Sequence, residues 1–285
     1  MNAVVLGNGS AAFLARIVSR TRAQAAPLAP LSWWRALVGF VIAFTLPGLP
    51  LALRAKLPGL VADPLLLTSA GTTLVALTYI ALVRVTEWRR VVELGPRALP
   101  REFGIGIALG LMACTLIIAG DIVLDAIAGG LAQGPAPDGR AIAKAFVSSR
   151  QFAFIEEIAF RGLLMRWLLG ITRARSAVAI QALIFGIAHY PAGGWPHVVL
   201  ATTMGFALGW AFLWRRSLWT PIAIHFAWDL FALIPGPASP TTTIAPPWLE
   251  LAEMGVVMIP ALGLAVACRY LAQLQAAPAN TVVTG

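Results

Sequence analysis

The sequence has few charged residues. Asp, Glu, Lys and Arg make up 12% of its 285 residues, whereas 59% are hydrophobic. A soluble domain typically has about a quarter charged and about half apolar residues. So little charge leaves too few polar side chains to cover a water-exposed globule or to keep a chain disordered. Together with a mean hydropathy of +0.82, the composition excludes a soluble globular protein and a disordered chain. It predicts an integral membrane protein.

Acidic residues are scarcer than basic ones, and cysteine is scarcer still. Lys and Arg number 21 against 12 Asp and Glu, a formal net charge of +9. In a soluble chain this surplus would suggest nucleic acid, but the loops of a membrane protein account for it, and we predict no nucleic-acid partner. Cys114 and Cys268 fall at different predicted depths, which disfavours a disulfide or a thiolate metal site.

Long uncharged runs are abundant. The clearest, 64–83, has no charge between Asp63 and Arg84 and is long enough to cross a hydrocarbon core of about 30 Å as a helix. The eight predicted spans are 36–53, 64–83, 103–120, 152–169, 176–190, 198–214, 218–234 and 248–268. The fourth contains charged residues and is included because the alternation of loop charge requires a crossing there. We predict an all-α integral membrane protein, a bundle of about eight transmembrane helices with a polar cavity inside the membrane.

The basic residues predict the orientation. With the N-terminus in the cytoplasm, sixteen of the 21 Lys and Arg lie on the cytoplasmic side, in keeping with the positive-inside rule. We therefore predict cytoplasmic termini in a bacterial-type inner or plasma membrane. The predicted divisions are a cytoplasmic segment 1–30, a membrane domain 31–272 and a cytoplasmic tail 273–285. In the first segment the apolar run precedes the arginines, opposite to a secretory signal, which favours a surface helix or a disordered leader.

Ionisable side chains inside a membrane are costly and usually functional. They are concentrated in the fourth, fifth and seventh predicted spans: Glu156, Glu157, Arg161, His189, His225 and Asp229. A rise of about 1.5 Å per residue puts four of them about 10 to 21 Å from the cytoplasmic side, in one band around the membrane centre. We expect those four, Glu156, His189, His225 and Asp229, to form one site.

Helical spacing predicts the partners within this site. Glu157 and Arg161 are four residues apart and can pair, whereas Glu156 is rotated by about 100° and lacks that partner. An unpaired carboxyl in a low-dielectric interior suits a general base or acid. His225 and Asp229 are also four apart, so the carboxylate can orient the imidazole. Such a set of side chains can activate water, or it can bind a divalent metal.

Three motifs follow one another on separate predicted helices: Glu-Glu-x-x-x-Arg from Glu156 to Arg161, Phe-x-x-x-His from Phe185 to His189, and His-x-x-x-Asp from His225 to Asp229. In this order they resemble the CPBP family of intramembrane proteases, which includes the prenyl-protein (CAAX) endopeptidases. The resemblance covers residues 151–230, the motif core of the predicted membrane domain. It implies an eight-helix bundle with a cavity open toward the cytoplasm or the lipid.

The resemblance also implies roles for these residues. Peptide hydrolysis would use water activated between Glu156 and His189, with His225 and Asp229 as the oxyanion-side pair. Glu157, Arg161 and Phe185 would be supporting residues of the motifs. The third motif often ends in Asn, which can donate a hydrogen bond, whereas an ionised Asp229 only accepts, so we expect Asp229 to orient His225 or to help bind a metal. No cofactor is certain, and zinc held by Glu156, His189 and His225 is the alternative.

The expected partners are membrane lipid and a membrane-tethered protein or peptide substrate, of CAAX type if the host prenylates proteins. Two other functions stay open: a non-proteolytic membrane scaffold or immunity protein, and a proton-coupled transporter. The transporter is less favoured because no inverted repeat is visible. Outside the site, we interpret His197 as a solvated loop histidine, and the small-residue pairs at 106/110 and 205/209 as helix-packing positions.

Overall fold

The computed structural model describes residues 32–46, 64–128, 138–234 and 247–276, together with single positions between 47 and 63. Within these ranges the chain is helical and has no strand. The helices are α1 Trp33–Thr45, α2 Pro64–Glu87, α3 Leu99–Ala128, α4 Gly139–Glu157, α5 Arg166–Ile171, α6 Ala174–Ala188, α7 Tyr190–Arg215, α8 Trp219–Leu233 and α9 Pro247–Ala276. The all-α prediction is therefore confirmed for these residues. The predicted segment 1–30 and residues 277–285 of the predicted tail lie outside them.

Four of these helices are long and apolar enough to cross a membrane: Leu66–Val85, Leu99–Ile127, Tyr190–Arg215 and Leu251–Gln275. Large apolar side chains are exposed on their outer faces, such as Leu66 on α2, Ile122 on α3 and Ile259 on α9. Such a surface is stable in lipid and not in water. These helices support a membrane protein, while the number of eight crossings stays a prediction.

The predicted fourth span belongs to a longer helical stretch. α4 starts at Gly139, where the Asp138 carboxylate accepts a hydrogen bond from the Ala141 amide at 2.7 Å. A π-helical segment, Ile158–Met165, then connects α4 to α5 with helical backbone angles at both junctions. The expected start at residue 152 was too late, because hydropathy does not detect the charged first turns while the aspartate cap marks the true start. The π segment begins directly after Glu157, and such segments are frequent at functional sites.

Small residues allow the helices around the site to approach closely. A Cβ added to Gly106 of α3 would lie 2.6 Å from the Ala223 Cβ of α8, and one added to Gly205 of α7 would lie 2.9 Å from the Ala182 Cα of α6. Neither approach is sterically available to a larger residue. The predicted packing role of these glycines is confirmed: they join α3 to α8 and α6 to α7, and both α6 and α7 contact the π segment.

A buried polar cluster joins the end of α2 to the helix that contains the site; it consists of Tyr79, Glu87, Arg89, Glu93 and Arg166. Tyr79 donates to Glu93 at 2.6 Å, and Arg89 donates to both Glu93 oxygens at 2.9 and 2.7 Å. Burial opposes the charge of Glu93, but the hydrogen bonds from Arg89 and Tyr79 outweigh it and lower the pKa of Glu93. Arg166 pairs with Glu87 across the same cluster. These contacts hold the start of α5, which follows the π segment, against the end of α2.

Candidate active site

The four predicted site residues lie together in the structure. The Oε2 atom of Glu156, on the last turn of α4, is 3.5 Å from the Nε2 atom of His189, which follows α6. It is also 3.8 Å from the Nε2 atom of His225 on α8. The same His225 nitrogen lies 3.4 Å from Asp229 Oδ2, one turn further along α8. Three helical segments therefore direct two carboxylates and two imidazoles at one point.

Glu156 is the group at the centre of this arrangement. Its side chain is 16% exposed, and its Oε2 atom is buried without a hydrogen-bond partner among the described residues. The two imidazole nitrogens at 3.5 and 3.8 Å are beyond ordinary hydrogen-bonding distance. A buried polar atom without a partner calls for a functional explanation, and here it faces two groups that can exchange protons.

The backbone of α6 determines how His189 is oriented. Its Nδ1 atom lies 2.7 Å from the Phe185 carbonyl oxygen. Because a carbonyl oxygen only accepts, Nδ1 holds the proton, and Nε2 is left to face Glu156. The Phe185 ring packs against the imidazole with ring centres 4.4 Å apart. The Phe-x-x-x-His spacing therefore provides both the acceptor and the packing surface for this histidine.

His225 is oriented by Glu157. Its Nδ1 atom lies 2.9 Å from Glu157 Oε1, in a region where His225 is only 5% exposed. Asp229 also lies beside this ring, 3.4 Å from Nε2, as its spacing of four residues from His225 predicts. The contact with Glu157 comes from a neighbouring helix, and spacing along α8 does not reveal it. Glu157 thus supports the site directly as well as pairing with Arg161.

The expected pair of Glu157 and Arg161 is present. Arg161 Nη1 donates to Glu157 Oε1 at 2.7 Å, and both side chains are fully buried. The guanidinium also donates from Nη2 to the Gly205 carbonyl oxygen at 3.3 Å and lies over the Phe185 ring, 4.6 Å from its centre. Phe185 therefore contacts both the arginine of the first motif and the histidine of the second.

Two further residues, which were not predicted from the sequence, pack around Arg161 and Phe185: Gln181 and Phe160. Gln181 donates from Nε2 to the Gly205 carbonyl oxygen at 2.8 Å, beside the donor from Arg161. Gln181 is fully buried, and Phe160 packs edge-on against Phe185. The signal for Gln181 was present, since it is a polar residue in an apolar helix, four positions before Phe185. Phe160 is one apolar residue among many and gave no signal.

The third histidine of the chain also lies beside the site. We expected His197 in a solvated loop, but it lies within α7 and is half-buried. Its ring stacks on that of His189, with centres 6.0 Å apart and an angle of 18° between the planes. The loop interpretation was wrong because Pro196, taken as a loop residue, suits the first turn of a helix.

Metal binding needs several donors in a suitable arrangement. The contact of His225 Nδ1 with Glu157 leaves Nε2 as the ring nitrogen that a metal could use. Within the described ranges, however, no group of three or more His, Cys, Asp or Glu side chains is arranged to hold a metal ion. The zinc alternative with Glu156, His189 and His225 as ligands therefore stays a prediction without support from this geometry.

Two comparisons with known proteins match the region that contains this site. Residues 139–231 match the family model described as "Type II CAAX prenyl endopeptidase Rce1-like", and this region runs from α4 to α8 and contains every site residue. Over 88 residues the chain is 33% identical to a protein of Bacillus subtilis (strain 168) named "Putative membrane peptidase YdiL". The alignment covers 31% of this chain and 35% of that protein. No solved structure matches the chain. The two matches support the CPBP family for this region and a membrane peptidase in general.

Proposed function

From the family match of the region that contains the site, we propose that the protein is an intramembrane endopeptidase. It hydrolyses a peptide bond of a membrane-tethered protein with water activated by Glu156 and His189. The observation that carries the proposal is the unpartnered Glu156 Oε2 atom between two imidazole nitrogens, 3.5 and 3.8 Å away. An acceptor held near two proton-exchanging groups in a buried site is suited to general-base chemistry.

The first step of this mechanism is attack by water on the peptide carbonyl. A water molecule bound here donates one hydrogen to Glu156 and the other to His189 Nε2, which is an acceptor because Nδ1 holds the ring proton. Its lone pair is then directed at the carbonyl carbon. As the carbon–oxygen bond forms, Glu156 takes the proton.

The second step is collapse of the tetrahedral intermediate. In its protonated form His225 donates Nδ1–H to Glu157 and presents Nε2–H to the oxyanion, which stabilises the developing charge. Glu156 returns its proton to the leaving nitrogen as the carbon–nitrogen bond breaks. Asp229, near His225 Nε2 at 3.4 Å, helps to hold the ring. One water is consumed, and one carboxylic acid and one amine are formed.

The finer features of the function are part of the same proposal. The substrate is a membrane-associated protein, with a CAAX-type prenylated protein as the specific candidate suggested by the family description. It reaches the site from the cytoplasmic side or from the lipid. Eight crossings with cytoplasmic termini in a bacterial-type membrane complete the arrangement.

Cleavage of a pool of membrane-tethered peptides by the purified, lipid-reconstituted protein tests the proposal. Glu156→Gln should abolish cleavage because it removes the base. The stability of the protein should stay unchanged because glutamine preserves the shape of the side chain. Asp121→Asn is the matched control, since it neutralises an exposed carboxylate on α3 and should cleave like wild type. Each protein is assayed with and without a strong chelator, and loss of cleavage only with chelator would indicate a metal.

Cleavage by Glu156→Gln at the wild-type rate would refute the assignment of the base. No cleavage by any of the proteins across a broad pool would count against proteolysis and favour the scaffold or immunity alternative.

A further inference from the structure

His197 reaches the site because the chain bends sharply at the start of α7. The helix is interrupted at Gly193 and Gly194, and Gly194 has a φ of 65°, a left-handed value that favours glycine. The interruption turns the chain so that two residues eight positions apart, His189 and His197, place their rings in a stack. His197 is therefore brought against the proposed water-activating histidine by the backbone of its own helix.

Gly193 leaves space for the His197 side chain. Its φ of −175° is an extended value that any residue can adopt. A Cβ at this position, however, would lie 3.1 Å from the Cβ and 3.2 Å from the Nδ1 of His197. The absence of a side chain at 193 thus leaves room for the imidazole in its observed place.

His197 also lines a cavity of about 310 Å³ between α7 and α9, which we name the α7–α9 cavity. Leu200 of α7 and Met254 and Met258 of α9 contribute apolar walls, and His197 and Glu253 are the titratable residues that line it. A wholly apolar cavity of this kind stays dry, whereas polar groups in the wall allow water to occupy it.

Both helices contribute the residues near their N-terminal ends to this cavity. Glu253 lies six positions after the first residue of α9, and His197 lies seven positions after the first residue of α7. Glu253 is exposed. The cavity therefore lies toward the N-terminal ends of the two helices, and His197 both lines it and contacts His189.

We propose that the α7–α9 cavity is the route by which water reaches Glu156 and His189, with His197 as the polar residue at its inner end. This inference rests on the proposed hydrolytic function. Each turnover consumes one water, whose hydroxyl joins the carbonyl carbon and whose remaining hydrogen joins the leaving nitrogen, so no other reactant is required. The side chains of Glu156 and His189 are 16% and 22% exposed, and the surrounding hydrocarbon provides no water, so a hydrolytic centre here needs a hydrated route.

Two substitutions of His197 separate a polar role from a packing role. His197→Asn keeps a group that hydrogen-bonds to water and should retain at least half of the wild-type kcat. His197→Phe keeps a flat ring for stacking and should lower kcat about tenfold, one decade of rate, with KM unchanged, because water no longer bridges the cavity and the site. Glu253→Leu should act like His197→Phe, and Glu253→Gln like His197→Asn.

The opposite pattern, full activity in His197→Phe and a large loss in His197→Asn, would show that the ring serves only for packing and would overturn the proposal. Wild-type kcat in all four variants would overturn it as well.

Thiol labelling tests the hydration of the cavity without any catalytic readout. Met258→Cys lines the α7–α9 cavity, whereas Ile259→Cys, its neighbour on α9, replaces a side chain that is 72% exposed on the outer face. Both are made with the buried Cys114 and Cys268 replaced by alanine. A charged thiosulfonate reagent added to lipid-reconstituted protein should modify Met258→Cys at least tenfold faster than Ile259→Cys.

Equal, slow labelling of the two cysteines would refute a hydrated cavity, whatever the enzymatic activity. Fast labelling of Met258→Cys in a protein that hydrolyses no peptide would refute the proposed function while showing that water enters the cavity. The two failures are therefore distinguishable.

Discussion

Arg161→Ala provides a stringent test of how the site is held together. Arg161 and Glu157 are both fully buried and joined at 2.7 Å. Removing the guanidinium leaves the Glu157 carboxylate in the interior with His225 as its remaining hydrogen-bond partner. The Gly205 carbonyl oxygen is less affected, because it keeps the donor from Gln181 at 2.8 Å. The cost of the substitution therefore falls mainly on Glu157.

The size of the effect follows from the burial of the pair. Breaking a buried ion pair by removing one partner typically costs about 3 to 5 kcal/mol, because the other charge stays buried and uncompensated. The lost contact between the guanidinium and the Phe185 ring, 4.6 Å from its centre, adds about 0.5 to 2 kcal/mol. Against a total stability of about 5 to 15 kcal/mol, this loss is large enough to reduce the yield of folded protein.

A second substitution distinguishes the charge effect from lost packing. Arg161→Met combined with Glu157→Gln removes both charges and retains similar volumes, so it should recover about half of the stability lost in Arg161→Ala, since neutral replacements of buried pairs are often tolerated. The assay is denaturant or thermal unfolding of the purified protein in detergent. Arg173→Ala, at an exposed position before α6, is the control and should change stability by less than about 0.5 kcal/mol.

Two results would refute this reasoning. Arg161→Ala within about 1 kcal/mol of wild type, well below the range expected for a broken buried pair, would mean that Glu157 does not depend on the arginine. A double variant no more stable than Arg161→Ala would mean that packing, and not the uncompensated carboxylate, determines the loss.

Three further predictions concern other contacts. Gly106→Val should lower stability by about 1 to 3 kcal/mol, because its Cβ would lie 2.6 Å from the Ala223 Cβ of α8. Gly104→Ala is the control and should be neutral, because a Cβ there would have no neighbour within 4 Å. Thermal unfolding in detergent compares the two variants. Glu93 has a folded pKa below its ordinary value of 4.5, so its contribution to stability is complete above that pH and is lost as pH falls through the folded pKa. Glu93→Gln should therefore destabilise at pH 7 and weaken the loss of stability as the pH falls below 4.5, and an unchanged pH profile would contradict this. Phe185→Leu should reduce kcat about tenfold with KM unchanged, because the ring supports the site's imidazoles; wild-type kinetics would show that it is not needed.

The spacing of polar residues along single helices predicted part of the site correctly. Glu157 and Arg161 pair as their separation of four residues indicated, because neighbours on one helix face need no information from the rest of the fold. The depth argument likewise placed Glu156, His189, His225 and Asp229 near one another, since a helix in a membrane converts position along the chain into depth. The catalytic and metal-binding roles of these residues stay predictions.

Contacts between helices were not readable in this way. Glu157 rather than Asp229 faces the Nδ1 atom of His225, Gln181 shares the Gly205 carbonyl oxygen with Arg161, and His197 stacks on His189. Each of these contacts depends on how one helix is rotated about its axis relative to another, and the hydropathy pattern of the sequence does not specify that rotation.

The sequence by itself determined that the protein belongs in a membrane, that it is helical, and which ionisable residues lie near one another. These properties follow from composition and from the fixed rise of a helix, which are local quantities. The tertiary structure decided which side chains touch and that a bend at Gly193 and Gly194 brings a third histidine to the site. Those features depend on backbone geometry at a few positions and on close packing between helices far apart in the chain, so they exist only in the folded molecule.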